Sequence, residues 1–112
     1  MIALFVIAAH LCGDFLLQNH WMQRKSKDSI VCLVHVLAYM LPWAALLLAG
    51  ICPEWVFLAV MVEHFLQDRF QLHMKWMRFY QKTTPDMWPV GPLCIDQAMH
   101  LTFIAACFAF TL

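Results

Sequence analysis

The chain has 112 residues, of which 63% are apolar and 12% charged, and its formal net charge is zero. A soluble domain carries about a quarter of its residues as charges, and one this small has too little interior to hide so much apolar side chain. Lipid is therefore the expected solvent, and nothing in the charge balance calls for a nucleic-acid partner. Cys12, Cys32, Cys52, Cys94 and Cys107 are odd in number and lack Cys-x-x-Cys spacing, so they read as small apolar residues and not as a disulfide framework.

Four apolar stretches follow one another, which predicts an all-α, integral membrane four-helix bundle forming one domain over 1–112. The first helix is expected over about 1–18. It starts without a basic segment or a small-residue cleavage site, and so reads as a retained helix. A polar break from Asn19 to Asp28 holds Arg24, Lys25 and Lys27. The second helix is expected over about 29–51, with Pro42 freeing the carbonyl of Ala38 and kinking it above His35. Cys52-Pro53-Glu54 reads as a tight turn into a third helix over about 55–72, which is marginal for a span. The longest break, 73–92, carries Pro85, Pro89, Gly91 and Pro92. Its aromatic and basic part, 74–81, reads either as a surface-lying amphipathic segment or as an ordinary polar loop. The last helix is expected over about 93–112.

Every Lys and Arg falls in the first break, at the end of the third helix or in the third break. The positive-inside rule then sets those connections in the cytoplasm, and both termini and Glu54 on the non-cytoplasmic side. Trp21, Trp76, Tyr80 and Trp88 sit where interfacial aromatics are expected.

Inside the apolar stretches the ionisable residues are paired. The first helix carries His10-x-x-x-Asp14 and then Gln18, the third His64-x-x-x-Asp68, and the fourth Asp96-x-x-x-His100; the second carries His35 with Tyr39 one turn on. Residues four apart share a helix face. A charge at mid-bilayer costs on the order of 2.5–3.5 kcal/mol, so these groups should face inward and find partners. With the orientation above, all seven fall in the cytoplasmic half at overlapping depth, and the reversed order in the last helix matches its reversed direction. Four imidazoles and three carboxylates suit a divalent transition metal, Zn²⁺ ahead of Mn²⁺ or Fe²⁺. His10, Asp14, His35, His64, Asp68, Asp96 and His100 are the candidate ligands, for one or two ions. The competing readings are polar glue between helices and a proton or ion pathway. Glu63 points about 100° from His64 and reads as a helper base or an interhelical partner. Gln18, Gln67, Gln71 and Gln97 are placed as orienting or packing amides, and His20 and His73 as solvated flanks.

The stretches His10-Leu-Cys-Gly-Asp-Phe-Leu-Leu-Gln18 with Trp21-Met22, Leu33-Val-His35-Val, His64-Phe-Leu-Gln-Asp-Arg-Phe70 and Asp96-Gln-Ala-Met-His100 resemble, in order, the small membrane-protein family labelled domain of unknown function 3307, found in bacteria and their phages. The resemblance implies a multi-helix membrane protein, is compatible with a bacterial or phage source, and brings no activity with it. The expected function is therefore argued from the site: a metal-dependent membrane hydrolase in the bacterial inner membrane, with Asp14 or Asp96 as general base and a lipid, lipid-linked or cytosolic substrate. The alternatives are a non-enzymatic module, phage- or bacterium-encoded, acting on a host membrane protein, and an oligomeric proton or ion conductor. A homo-oligomer is expected ahead of a monomer.

Overall fold

The computed structural model describes residues 1–111, and these are helical with connecting turns and no strand. Helix α1, Ile2–Leu11, continues through a π-helical turn, Cys12–Leu16. A 3-10 helix, Trp21–Ser26, lies in the first polar break, where no regular structure was expected. Asp28 then caps α2, Ser29–Leu48, its carboxylate accepting from the backbone N–H groups of Ile30 and Val31 at 2.9 and 3.3 Å. Helix α2 runs uninterrupted through Pro42.

Helix α2 stops short of the expected residue 51 because Gly50, at φ 75°, enters the left-handed region. The amides of Ile51 and Cys52 fold back onto the carbonyl of Leu46, at 2.9 and 3.2 Å. Helix α3, Glu54–Phe70, ends where Gln71 adopts φ 49°, an uncommon conformation for a residue with a Cβ. The chain turns there into α4, Leu72–Trp76, and a second π-helical turn, Met77–Gln81. The segment 74–81 is thus helical and not a plain loop; it buries Met77 and exposes Phe79 and Tyr80. Helix α5 is Gly91–Ala109, and the expected end at residue 112 lies outside the described residues. Two helices, α2 and α5, are long and apolar enough to cross a membrane. Ile2–Leu16 is apolar but shorter, and α3 has 17 residues.

Helix α2 is central, packing on α1, α3 and the 3-10 segment, while α5 packs on α3 and α4. Each long helix buries one stripe. In α1 and its π-turn the stripe is Val6, Ala9, His10, Gly13 and Asp14. In α3 it is Val56, Val60, Glu63, His64, Gln67 and Asp68. Both of these stripes are apolar at one end and ionisable at the other, and α2 and α5 each add one buried histidine, His35 and His100. Antiparallel packing stacks the like ends, giving an apolar layer around Trp43, Val56, Val60 and Ile104 and a polar layer around four fully buried histidines. The outside is apolar instead: Leu4, Leu41, Leu48, Leu58 and Val62 are all more than half exposed.

Gly13 sets the approach of α1 to α2. A Cβ there would lie 2.6 Å from Tyr39 Cδ2 and 2.7 Å from the Tyr39 carbonyl oxygen. Backbone cannot yield as a side chain can, so Gly13→Ala is expected to cost about 1–3 kcal/mol and to lower the thermal unfolding midpoint in mild detergent. An unchanged midpoint would remove Gly13 as the spacer.

Candidate metal centre

The polar layer is built from one stripe of each long helix. His35 and His64, both 0% exposed, turn their Nε2 atoms toward each other at 3.1 Å. Asp68 Oδ2 lies 3.0 Å from His35 Nε2 and 3.2 Å from His64 Nε2. Asp14 Oδ1 lies 3.6 and 3.4 Å from the same two nitrogens. Four potential ligand atoms, two nitrogens and two carboxylate oxygens, therefore converge from α2, α3 and the π-turn of α1. A tetrahedral ion with bonds of about 2.0 Å has ligand–ligand edges of about 3.3 Å. The five separations, 3.0–3.6 Å, bracket that value. The Nδ1 atoms of His35 and His64 are buried without a hydrogen-bond partner; the His64 ring is stacked between Tyr39 and His100, with centroids at 3.7 and 4.3 Å.

His100, also fully buried, stands beside this set. Its Nε2 is 3.3 Å from both Asp68 Oδ1 and Asp96 Oδ1, and its Nδ1 is 3.0 Å from Glu63 Oε1. Glu63 also accepts from the Gln67 amide. His10 belongs to the layer but not to a group of converging ligand atoms. Its Nδ1 is 2.8 Å from the Tyr39 hydroxyl and its Nε2 is 2.8 Å from Gln97 Oε1. An amide oxygen only accepts, so Nε2–H donates to Gln97 and the Tyr39 hydroxyl donates to Nδ1. Gln97 then passes its own N–H groups to Asp14 Oδ2, at 2.7 Å, and to Asp96 Oδ2, at 3.2 Å. The reverse amide orientation would set its oxygen against two carboxylates. Gln97 thus links His10 to Asp14.

All seven candidate residues lie in this layer, with Asp96 at its rim. Asp14, one of the two expected bases, has both oxygens engaged; Asp96 borders a pocket of about 230 Å³ that also reaches Asp68. Lys25 enters from the 3-10 helix and joins the layer, beyond its expected part in the cytoplasmic charge bias. Its Nζ is 2.8 Å from Asp68 Oδ2, 2.7 Å from Gln18 Oε1 and 3.4 Å from His35 Nε2. Arg69 fastens that segment to α3, donating to Ser29 Oγ and to the Ser26 carbonyl oxygen, each at 2.9 Å. His20 is exposed as expected. His73 is partly buried and not a fully solvated flank: its Nδ1 is 3.5 Å from Asp96 Oδ1, and burial lowers its pKa against the opposing pull of that carboxylate. The arrangement can hold a cation in a polar layer with a side pocket; it contains no nucleophilic serine or thiol aligned with a base.

Replacing Gln97 by Leu strands Asp14 and the His10 ring without their shared partner. The expected loss is about 2–3 kcal/mol, read as a lower unfolding midpoint. Gln97→Glu should be no better, since it turns an acceptor toward Asp14. A silent Gln97→Leu would show that the amide orients nothing.

Comparison with curated proteins and with solved structures gave no match. The profile of one family covers residues 1–112, the whole chain. The protein therefore belongs to the family described as "Protein of unknown function (DUF3307)".

Proposed function

We propose that the protein is a four-helix integral membrane protein of the bacterial inner membrane that binds a divalent transition metal near its cytoplasmic face and hydrolyses a lipid, lipid-linked or cytosolic substrate there. The observation that carries the metal is the convergence of His35, His64, Asp14 and Asp68 at tetrahedral edge lengths in a buried layer. Two imidazoles and two carboxylates at four-coordinate spacing suit Zn²⁺ first; Mn²⁺ and Fe²⁺ take the same donor types. The membrane part rests on α2 and α5, on the apolar exterior and on the grouping of all Lys and Arg at the polar end of the bundle. In that reading α1 with its π-turn and α3 are the two shorter spans, accommodated by tilt or thinning, and both termini lie outside.

Hydrolysis is supported by the pocket. A divalent ion supplies a water of lowered pKa and polarises an ester, phosphoester or amide. Asp68 brings the polar layer to the pocket wall, and Asp96 is the carboxylate placed to take a proton there. A specific observation favours the second reading, a non-enzymatic membrane module that engages a host membrane protein: four protein ligands close a tetrahedron, as structural zinc sites do. A conductor is disfavoured, because the layer above His35 and His64 is filled by Trp43, Val56 and Val60, each 0% exposed. The apolar exterior leaves room for lipid or a second copy of the chain.

Elemental analysis of the purified protein should find zinc or another divalent ion, and EDTA should lower the unfolding midpoint by several degrees. His64→Ala should lose the ion, whereas His20→Ala should keep it. Protein that purifies metal-free and gains no stability from Zn²⁺, Mn²⁺ or Fe²⁺ would return the cluster to hydrogen-bonded glue. For the topology, Cys52 is buried and is a poor reporter. In a chain lacking Cys94, an impermeant thiol reagent added to whole cells should label Glu54→Cys and spare Lys27→Cys. The opposite pattern would invert the proposed orientation.

A further inference from the structure

We infer that the groove between α3 and α5 binds a lipid whose polar end carries free hydroxyl groups and no charge. This rests on the membrane part of the reading above and not on the metal. The groove has a volume of about 520 Å³, within the range of small-molecule sites. Leu58, Val62 and Leu66 of α3 and Phe103 of α5 give it an apolar wall, and Glu63 and Gln67 are its polar residues. Leu58 and Val62 are more than half exposed, so the groove opens on the surface that meets lipid in that reading.

Glu63 and Gln67 are each only 8% exposed, yet their hydrogen bonding is incomplete. Glu63 Oε1 takes both of the partners at hand, the Gln67 amide and His100 Nδ1, the latter at 3.0 Å. Glu63 Oε2 and Gln67 Oε1 are left without any. The amide cannot turn over to relieve this, because its oxygen would then meet Glu63 Oε1. Hydrocarbon has no water to donate to such oxygens, so leaving them unpaired is costly. The two residues are four apart and share one helix face. They call for two donors at one end of an apolar chain.

Charge narrows the choice of donor. No Lys or Arg lines the groove, so a phosphate or carboxylate head would meet Glu63 without a counter-charge. An ammonium head would shed its hydration for a carboxylate already shared by Gln67 and His100. Hydroxyls carry the smallest desolvation cost of the three, and a vicinal diol supplies one donor for each oxygen. The ligand class is therefore a neutral acylglycerol. The groove shares no lining residue with the polar pocket of about 230 Å³. His100, fully buried, stands between them, with Nδ1 toward Glu63 and Nε2 toward Asp68 and Asp96. The groove is thus a second site, lateral to the first.

The test starts from the full chain extracted from membranes in uncharged detergent; a chain found in the soluble fraction would overturn the membrane reading itself. Thermal unfolding is followed with three probes that share one acyl chain: 1-monooleoylglycerol, a diol; methyl oleate, with no donor; and oleate, an anion. The diol should raise the midpoint by several degrees and the other two should not. Native mass spectrometry should find one monooleoylglycerol retained per chain. Ala59→Phe narrows the groove and leaves both polar residues in place, and Gln67→Met removes the unpartnered oxygen at similar size. Each variant should lose the shift and the retained lipid. Equal shifts from all three probes would refute recognition of the hydroxyls, and neither shift nor retained lipid in the unaltered protein would overturn the site. Ala59→Phe protein that still retains the lipid would place it elsewhere. A dimer that Ala59→Phe dissociates would give the groove to a second copy of the chain and refute the lipid.

Discussion

Everything in this fold answers to one constraint: carboxylates and imidazoles carried on otherwise apolar helices must meet each other. No helix satisfies its own set. The i, i+4 contact between α1 and its π-turn, His10 to Asp14, is 3.9 Å, longer than the contacts Asp14 makes to α2 and α3. Within α3 the His64–Asp68 contact, 3.2 Å, is matched by contacts of Asp68 to α2, α5 and the 3-10 segment. The interhelical geometry is therefore fixed by polar convergence at one end, while the apolar layer of Trp43, Val56, Val60 and Ile104 fills the other. Along the long helices most of the large side chains left outside are apolar, which inverts the usual order of a soluble protein and suits lipid.

Close approach and orientation do the rest. Gly13 lets the π-turn rest on the backbone of Tyr39, and the turn carries Asp14 inward beside His35 and His64. Tyr39 in turn stacks on His64 and donates to His10, so one residue of α2 ties α1 to α3. Gln97 closes the circuit from α5 by joining His10 to Asp14 and Asp96. Aromatic packing and a single amide thus hold the rings and carboxylates in register before any ion is considered.

Much of this was legible in the residues. Four-residue spacing in three stretches, the reversed order in the last and the shared depth bring together the seven residues that the fold gathers. Glu63, read as an interhelical partner, points away from His64 along α3 and meets His100 of α5. Two things were not legible. Lys25 looked like an orientation signal, because only the 3-10 helix, pinned by Arg69, shows that the first connection folds back over the layer. Gln97 looked like one amide among four, and its central place depends on the rotation of α5. The ends of α2 and α3 were misjudged by a few residues because left-handed Gly50 and Gln71 stop them, and at Gln71 no glycine advertises the turn. The family brings no activity with it, so the argument for function rests on the site.

Lys25 gives the layer a property its helices alone would lack. The ammonium is tethered to a short connection and not to a spanning stripe, and it sits on the same Asp68 oxygen that an ion would use. A bundle without metal is then not an empty nest of repelling oxygens, since a resident counter-ion already stands in place. Loading becomes an exchange of one cation for another. The helices would not need to part for it: an arriving ion would displace a flexible side chain with four methylenes of slack, which already lines the adjoining pocket. On the proposed metal reading, the bundle would close first and take up an ion afterwards.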